Sequence, residues 1–232
     1  MEPNYFYFNF ALQSTFNIYL FYMNKQAEDI KAIREMMEKS TKFLSLSGLS
    51  GVVAGVTALI GATFAYFYLL RDPSLTNFNR TQEILILLAV ALIVLVISIG
   101  FGIYFSWKKA KKNHQKLFNS VTKLALYHLF IPLLTGGVFS LIFLLRGDIN
   151  MVASATLIFY GIALVSASKY TFDEIHYLGL TEITLGLISA IFMHKGIVFW
   201  AIGFGLCHIF YGLAMSIKYD LKKNDKHNST SE

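Results

Sequence analysis

The chain has 232 residues, of which 55% are hydrophobic and only 15% are charged. A soluble domain carries about a quarter charged residues, so this chain has too little charge to cover a water-facing surface. The net charge of +6 does not indicate a nucleic-acid partner, because Lys and Arg lie in the gaps between apolar runs rather than along one soluble face. We therefore expect an integral membrane protein whose basic residues contact anionic lipid headgroups.

Residues 1–22 contain no Lys or Arg and so lack the basic first region of a signal peptide. We expect translation to begin at Met23 and residues 1–22 to be a non-native or disordered extension. Residues 23–42 are predicted to form an amphipathic juxtamembrane helix in the cytoplasm, because apolar residues recur at helical spacing and opposite charges pair four residues apart. This helix is either solvated, flat on the inner leaflet, or bound to a partner.

Six apolar runs are predicted to cross the membrane, since a span needs roughly 17–25 mainly apolar residues. They cover residues 43–70, 84–107, 121–145, 151–168, 177–192 and 197–217. The fifth run is short and contains Glu182. The second is Leu, Ile and Val on nearly every face, which is typical of a span on the lipid-exposed perimeter. Residues 218–232 are polar and are predicted to be a disordered cytoplasmic tail.

The distribution of Lys and Arg between the runs predicts that both chain ends lie in the cytoplasm. With six spans and the N-terminus inside, inside positive charges outnumber outside ones by about four to one. The basic residues on the outside are Arg71, Arg80, Arg146 and Lys195. The predicted fold class is thus an all-α, polytopic bundle of six transmembrane helices, located in the cytoplasmic membrane.

Small residues form a stripe along the first predicted span. Four of them are candidates for close helix packing: Gly48, Gly51, Gly55 and Ala58. Such a stripe allows two backbones to approach in lipid. It is explained either by packing against another span of the same chain or by contact between two copies in a homo-oligomer.

Ionisable residues inside spans are costly, so each is a candidate for function. The candidates for one polar cavity in the middle or inner half of the membrane are His128, Glu182, His208 and Tyr211. Candidates for its cytoplasmic mouth follow the fourth span: Lys169, Asp173, Glu174 and His176. Together these groups could bind a metal, relay protons or hold a solute. Alternatively, Lys169 pairs with Asp173 or Glu174 and the histidines bond neighbouring helices.

No specific metal-binding or catalytic motif is present, so neither a cofactor nor a metal can be named from the sequence. The preferred hypothesis is a small solute or ion transporter with an inward-facing Glu/His site. A non-catalytic sensor or assembly component acting through the juxtamembrane helix is the first alternative. An intramembrane metal-dependent hydrolase is the second, and enzymatic activity is the less favoured class.

The segments at residues 45–61 and 200–212, the latter reading WAIGFGLCHIFYG, resemble those of small uncharacterised multi-pass membrane proteins of bacteria. The resemblance extends over most of the chain from Met23 onward. It implies membrane class and no particular activity.

Overall fold

The computed structural model describes residues 46–67, 79–112 and 118–221, together with Met23, Lys25, Gln26, Asp29 and Ile30. Every regular element in these residues is helical. The chain divides into two compact units, Met1–Lys42 and Phe43–Glu232. In the first unit the five described residues are helical, while the predicted extension 1–22 and most of the predicted helix 23–42 lie outside the described residues.

In the described residues of the second unit, five helices precede a composite sixth one. They are α1 (Gly48–Ala65), α2 (Arg80–Lys112), α3 (Ser120–Arg146), α4 (Ile149–Ser168) and α5 (Asp173–Ile191). A short 3₁₀ turn, Met193–Lys195, leads into α6 (residues 196–221), which has four segments. These are α-helical Gly196–Trp200, π-helical Ala201–Cys207, α-helical His208–Met215 and π-helical Ser216–Leu221. The first four residues of the predicted tail are thus helical, and its remainder lies outside the described residues.

Five helices within the described ranges are long and apolar enough to cross a membrane. They are α1, α2, α3, most of α4 and most of α6, and they match five of the six predicted spans. Helix α5, which contains Asp173, Glu174 and Glu182, is not among them. No residue in the most apolar window of α2 is buried, as expected for a helix whose apolar surface faces lipid.

Helices α1 and α6 pack through glycines. A Cβ added to Gly212 of α6 would lie 2.7 Å from the Gly48 carbonyl oxygen, and one added to Gly55 would lie 2.5 Å from the Gly205 oxygen. Gly51 also faces Gly212, and Ala58 is buried. Three of the four small residues predicted to mediate packing, Gly48, Gly51 and Gly55, therefore contact another helix of the same chain, where only glycine allows such close backbones.

Helices α4 and α5 form an equally close pair. A Cβ on Gly161 would lie 2.6 Å from the Gly179 carbonyl oxygen, so the two backbones touch at this crossing. Nearer the opposite end of the pair, Ser154 donates a hydrogen bond to Ser189 at 3.0 Å, and both serines are buried. The contact thus extends along most of both helices.

Helix α3 continues through Pro132 as an α-helix from Ser120 to Arg146. Asn119 caps its first turn by accepting a hydrogen bond from the Thr122 amide, and Gly147 ends it with a left-handed φ of 84°. Gly136 faces Phe159 of α4, which positions α3 beside the α4–α5 pair.

Four chain segments meet at one end of the bundle. Lys109, near the end of α2, donates to the Leu46 carbonyl before α1 at 2.7 Å and lies over the Phe172 ring at 5.2 Å. Phe172, just before α5, stacks on Tyr219 near the end of α6, with ring centroids 4.3 Å apart. The start of α1, the end of α2, the α4–α5 connection and the end of α6 are therefore on the same side.

Candidate functional site

Glu182 lies in the middle of the buried face of α5. The buried residues of this helix recur at intervals of three or four and form one stripe: Ile175, Leu178, Gly179, Glu182, Gly186 and Ser189. The position is dictated by this apolar and small-residue periodicity, which brings the carboxyl group between α4 and α6. The side chain of Glu182 has no solvent exposure, and neither carboxylate oxygen has a hydrogen-bond partner among the described residues.

His208 of α6 lies against Glu182. Its Nδ1 atom lies 3.4 Å from Glu182 Oε1 and 3.0 Å from the Gly203 carbonyl oxygen. Nδ1 must carry a hydrogen, since the carbonyl oxygen can only accept, and that hydrogen is donated to Gly203 rather than to Glu182. The Glu182–His208 contact is consequently a close approach without a hydrogen bond.

Tyr160 of α4 completes the arrangement from the third helix. Its hydroxyl lies 2.8 Å from His208 Nε2. If the imidazole is neutral, Nδ1 carries its only hydrogen, so the Tyr160 hydroxyl donates to Nε2. We define the central site as Tyr160, Glu182, Gly203 and His208.

The backbone of α6 is π-helical at the central site. Gly203 lies within the π segment Ala201–Cys207, and His208 follows it directly. A Cβ on Gly203 would collide with Glu182 Oε2 and would lie 2.6 Å from Leu157 Cδ2. Only glycine therefore allows α6 to approach the carboxyl group this closely. Single π turns within helices occur frequently at functional sites.

Aromatic rings cover one side of the central site. Phe204 lies against both Tyr160 and His208, with ring centroids 4.8 Å and 5.9 Å away, and Trp200 packs on Phe204 at 4.9 Å. Together with Leu157, which is fully buried, these rings surround the polar groups with apolar atoms. The surroundings offer the carboxyl group little compensation for the loss of water.

The structure gives the other two cavity candidates different partners. The ring of His128 stacks on Tyr170 with centroids 5.1 Å apart, and its Nε2 lies 3.3 Å from the Tyr170 hydroxyl. Tyr211 packs beside the buried cluster that contains Leu164, Leu178 and Met215. Of the four candidates, Glu182 and His208 are the two whose side chains lie against each other.

The four mouth candidates lie around the α4–α5 connection. Lys169 follows the end of α4, and its side chain is exposed, as is that of Asp173 at the start of α5. Glu174 accepts hydrogen bonds from Lys218 and Tyr219 of α6 rather than from Lys169. His176 Nδ1 lies 3.3 Å from the Ser168 hydroxyl. These contacts join the ends of α4, α5 and α6.

No group of three or more His, Cys, Asp or Glu side chains in the described part of the chain is arranged to hold a metal ion. At the central site one carboxyl group and one imidazole are the available ligands. Both ring nitrogens of that imidazole already have partners.

Sequence reasoning did not find Tyr160 or Gly203. Tyr160 lies in an apolar span that has no periodic polar pattern, so its role depends on how α4 crosses α6. The alternating glycines in WAIGFGLCH, directly before His208, were the available signal for a close approach at Gly203.

Comparison with models of known protein families, with curated proteins and with solved structures found no match to this chain.

Proposed function

We propose that the protein is a small ion or solute transporter of the cytoplasmic membrane, with Glu182 and His208 at its binding site. The observation that carries this proposal is Glu182 itself, which is fully buried and whose two oxygens have no hydrogen-bond partner in the part of the chain that the structure describes. Ionisable groups within membrane spans are expensive, and they commonly mark ion pathways and proton relays. A carboxyl group that has no hydrogen-bond partner among the described residues makes no hydrogen bond that would explain its burial.

The proposed topology has six spans with both chain ends in the cytoplasm, and α5 is the span that is added to the five candidates. Two observations support it. Helix α5 pairs with α4, a candidate span, along most of its length, and its 19 residues extend about 28 Å, close to the thickness of a bilayer core. The start of α1 and the end of α6 are also on the same side, as an even number of spans requires.

The basic residues at this shared end support an inner-leaflet location. Lys109 and Lys218 lie there, and the predicted inside segments carry most of the remaining Lys and Arg. Anionic headgroups on the cytoplasmic leaflet are the proposed partner for these cations.

Transport requires that occupation of the site alters the helices around it. A charge on Glu182 would be costly among Leu157, Gly203 and the aromatic rings, so loading and unloading the site changes the energy of the α4–α5–α6 packing. The π segment of α6 lies at this contact and supplies a backbone whose hydrogen bonding can be rearranged.

The test is reconstitution of the full chain into liposomes that contain a pH indicator. Gradients of Na⁺, K⁺, Mg²⁺, chloride and a set of amino acids are applied in turn, and internal pH and solute content are measured. We expect at least one gradient to produce flux above that of protein-free vesicles, and Glu182→Gln to abolish it.

Glu83→Gln is the matched control, because Glu83 lies in the first turn of α2, away from the central site. This variant should retain the flux. Equal flux from wild type and Glu182→Gln, or no wild-type flux in any gradient, would contradict the proposed function.

A further inference from the structure

We infer that the ion bound at the central site is a proton, which forms an O–H bond with a Glu182 carboxylate oxygen, and not a metal cation. The inference deepens the proposed function and rests on it for its role in transport. The binding of a proton to Glu182 is argued from the geometry of the central site and does not depend on transport.

The site has too few oxygen atoms for a metal cation. Ca²⁺ takes six to eight oxygen ligands at about 2.3–2.6 Å, and Mg²⁺ requires a nearly ideal octahedron. At the central site the Gly203 carbonyl already accepts from His208, and the Tyr160 hydroxyl is engaged with the same ring. The two oxygens of Glu182 are the acceptors without a partner.

The imidazole is also unsuited to bind a metal. A metal ligand must offer a free nitrogen lone pair. Nδ1 of His208 donates its hydrogen to Gly203, and the lone pair of Nε2 accepts the hydrogen of Tyr160. Both nitrogens of the neutral ring are therefore committed.

The space around the carboxyl group is closed. A single Cβ at Gly203 would collide with Glu182 Oε2, and Leu157 and Glu182 both have no exposed surface. A proton adds no ligand shell and almost no volume, so it fits without moving α6. A hydrated cation or an organic solute would not fit in this conformation.

The titratable groups that act on Glu182 come from both neighbouring helices. They are Tyr160 of α4, and Cys207 and His208 of α6. None of them is an unpaired cation that would stabilise a negative charge on Glu182. Tyr160 and Cys207 carry no positive charge in any protonation state. His208 makes the two hydrogen bonds that a neutral ring makes, one as a donor and one as an acceptor. We place the bound proton on Glu182 because a charged carboxylate there would have no hydrogen-bond donor among the described residues.

Infrared difference spectroscopy of the full chain in lipid tests this inference directly. Protonation of Glu182 adds a carboxylic acid C=O band at a frequency typical of apolar surroundings. We expect this band at neutral pH in wild type and in Glu83→Gln, and its complete loss in Glu182→Gln. Circular dichroism and gel filtration verify that each variant is folded.

The competing occupants give different results. A Glu182-dependent band that is lost when Na⁺, K⁺, Mg²⁺ or Ca²⁺ is added at constant pH would overturn the inference and identify a cation site, while leaving the proposed transport intact. Absence of any Glu182-dependent band, with folded protein, would also overturn it, because Glu182 would then be ionised at neutral pH. A band with no flux in the liposome experiment would reject the proposed transport and retain proton binding.

Discussion

Two glutamates on the same helix differ sharply in their surroundings. Glu174 lies at the end of α5, where it accepts hydrogen bonds from Lys218 and from the Tyr219 hydroxyl, the latter at 3.0 and 3.1 Å. Glu182, about two turns further along, is more deeply buried and has no hydrogen bond among the described residues. Helix α5 thus has one glutamate, Glu174, that joins the ends of two helices. Its other glutamate, Glu182, is buried and makes no hydrogen bond within the described part of the chain that would stabilise the fold.

The largest effect should come from separating the helices that bury Glu182. Gly161→Ala places a Cβ 2.6 Å from the Gly179 carbonyl oxygen, so the α4–α5 backbones must move apart. We expect a loss of about 1–3 kcal/mol in the free energy of unfolding, the usual range for an overpacked contact. Denaturant unfolding in mixed micelles, monitored by circular dichroism, measures this.

Gly137→Ala is the matched control, because a Cβ there has no neighbour within 4 Å. Its stability should equal or exceed that of wild type, since alanine is favoured over glycine in a helix by about 1 kcal/mol. A similar loss in both variants would show that the crossing at Gly161 is not the cause.

A smaller effect is expected at the end of α5. Burial alone would raise the pKa of Glu174, but the hydrogen bonds from Lys218 and Tyr219 outweigh it and lower the pKa below its ordinary value of 4.5. The carboxylate therefore stabilises the folded protein above about pH 4.5, and this contribution is lost as pH falls through the lowered pKa. We expect Glu174→Gln to cost about 1 kcal/mol at neutral pH, after allowance for partial exposure.

The pH dependence separates Glu174 from other causes. Wild type should lose stability relative to Glu174→Gln as pH falls below 4.5, so that the two unfolding curves converge. A constant difference between wild type and variant at every pH would mean that the ionised carboxylate is not the stabilising species.

The smallest effect on stability is expected for Glu182→Gln, the change that should abolish transport. Glutamine has nearly the shape of a protonated glutamate, and Glu182 has no hydrogen bond to lose. We expect a change of about 0.5 kcal/mol or less in either direction, measured by the same unfolding experiment. If Glu182→Gln lowers the free energy of unfolding more than Glu174→Gln does, Glu182 has a structural role.

The sequence predicted the helices better than their contacts. Long apolar runs located α2 and α3, although α2 continues to Lys112 because lysines favour helix and extend it past the apolar run. The fifth run was predicted as a span; it forms a helix, but this helix is not among the five candidate spans. Apolar periodicity shows which residues are buried, not which helix covers them.

The same limit applies to the central site. Glu182 and His208 were predicted to lie close together because both occupy the middle or inner half of predicted spans. His128 satisfied the same condition, yet its ring stacks on Tyr170, which lies in the connection between α4 and α5. The position of a residue along its span predicts only its depth in the membrane. Whether its side chain faces a particular neighbour also depends on the rotation of the helix about its axis, which is set by contacts such as Gly161–Gly179.

The number of residues in the π segment of α6 determines which helices the residues on either side of it face. Gly203 and His208 face Glu182, while Gly205 and Gly212 face α1. In an α-helix each residue turns the chain by about 100°, so a deletion within Ala201–Cys207 that the π turns do not absorb would rotate everything after it by about that angle. His208 would then turn away from Glu182 at the same time as Gly212 turned away from Gly48. Such insertions and deletions would therefore break the contacts of α6 with α5 and with α1, even at positions where a substitution of the side chain is tolerated.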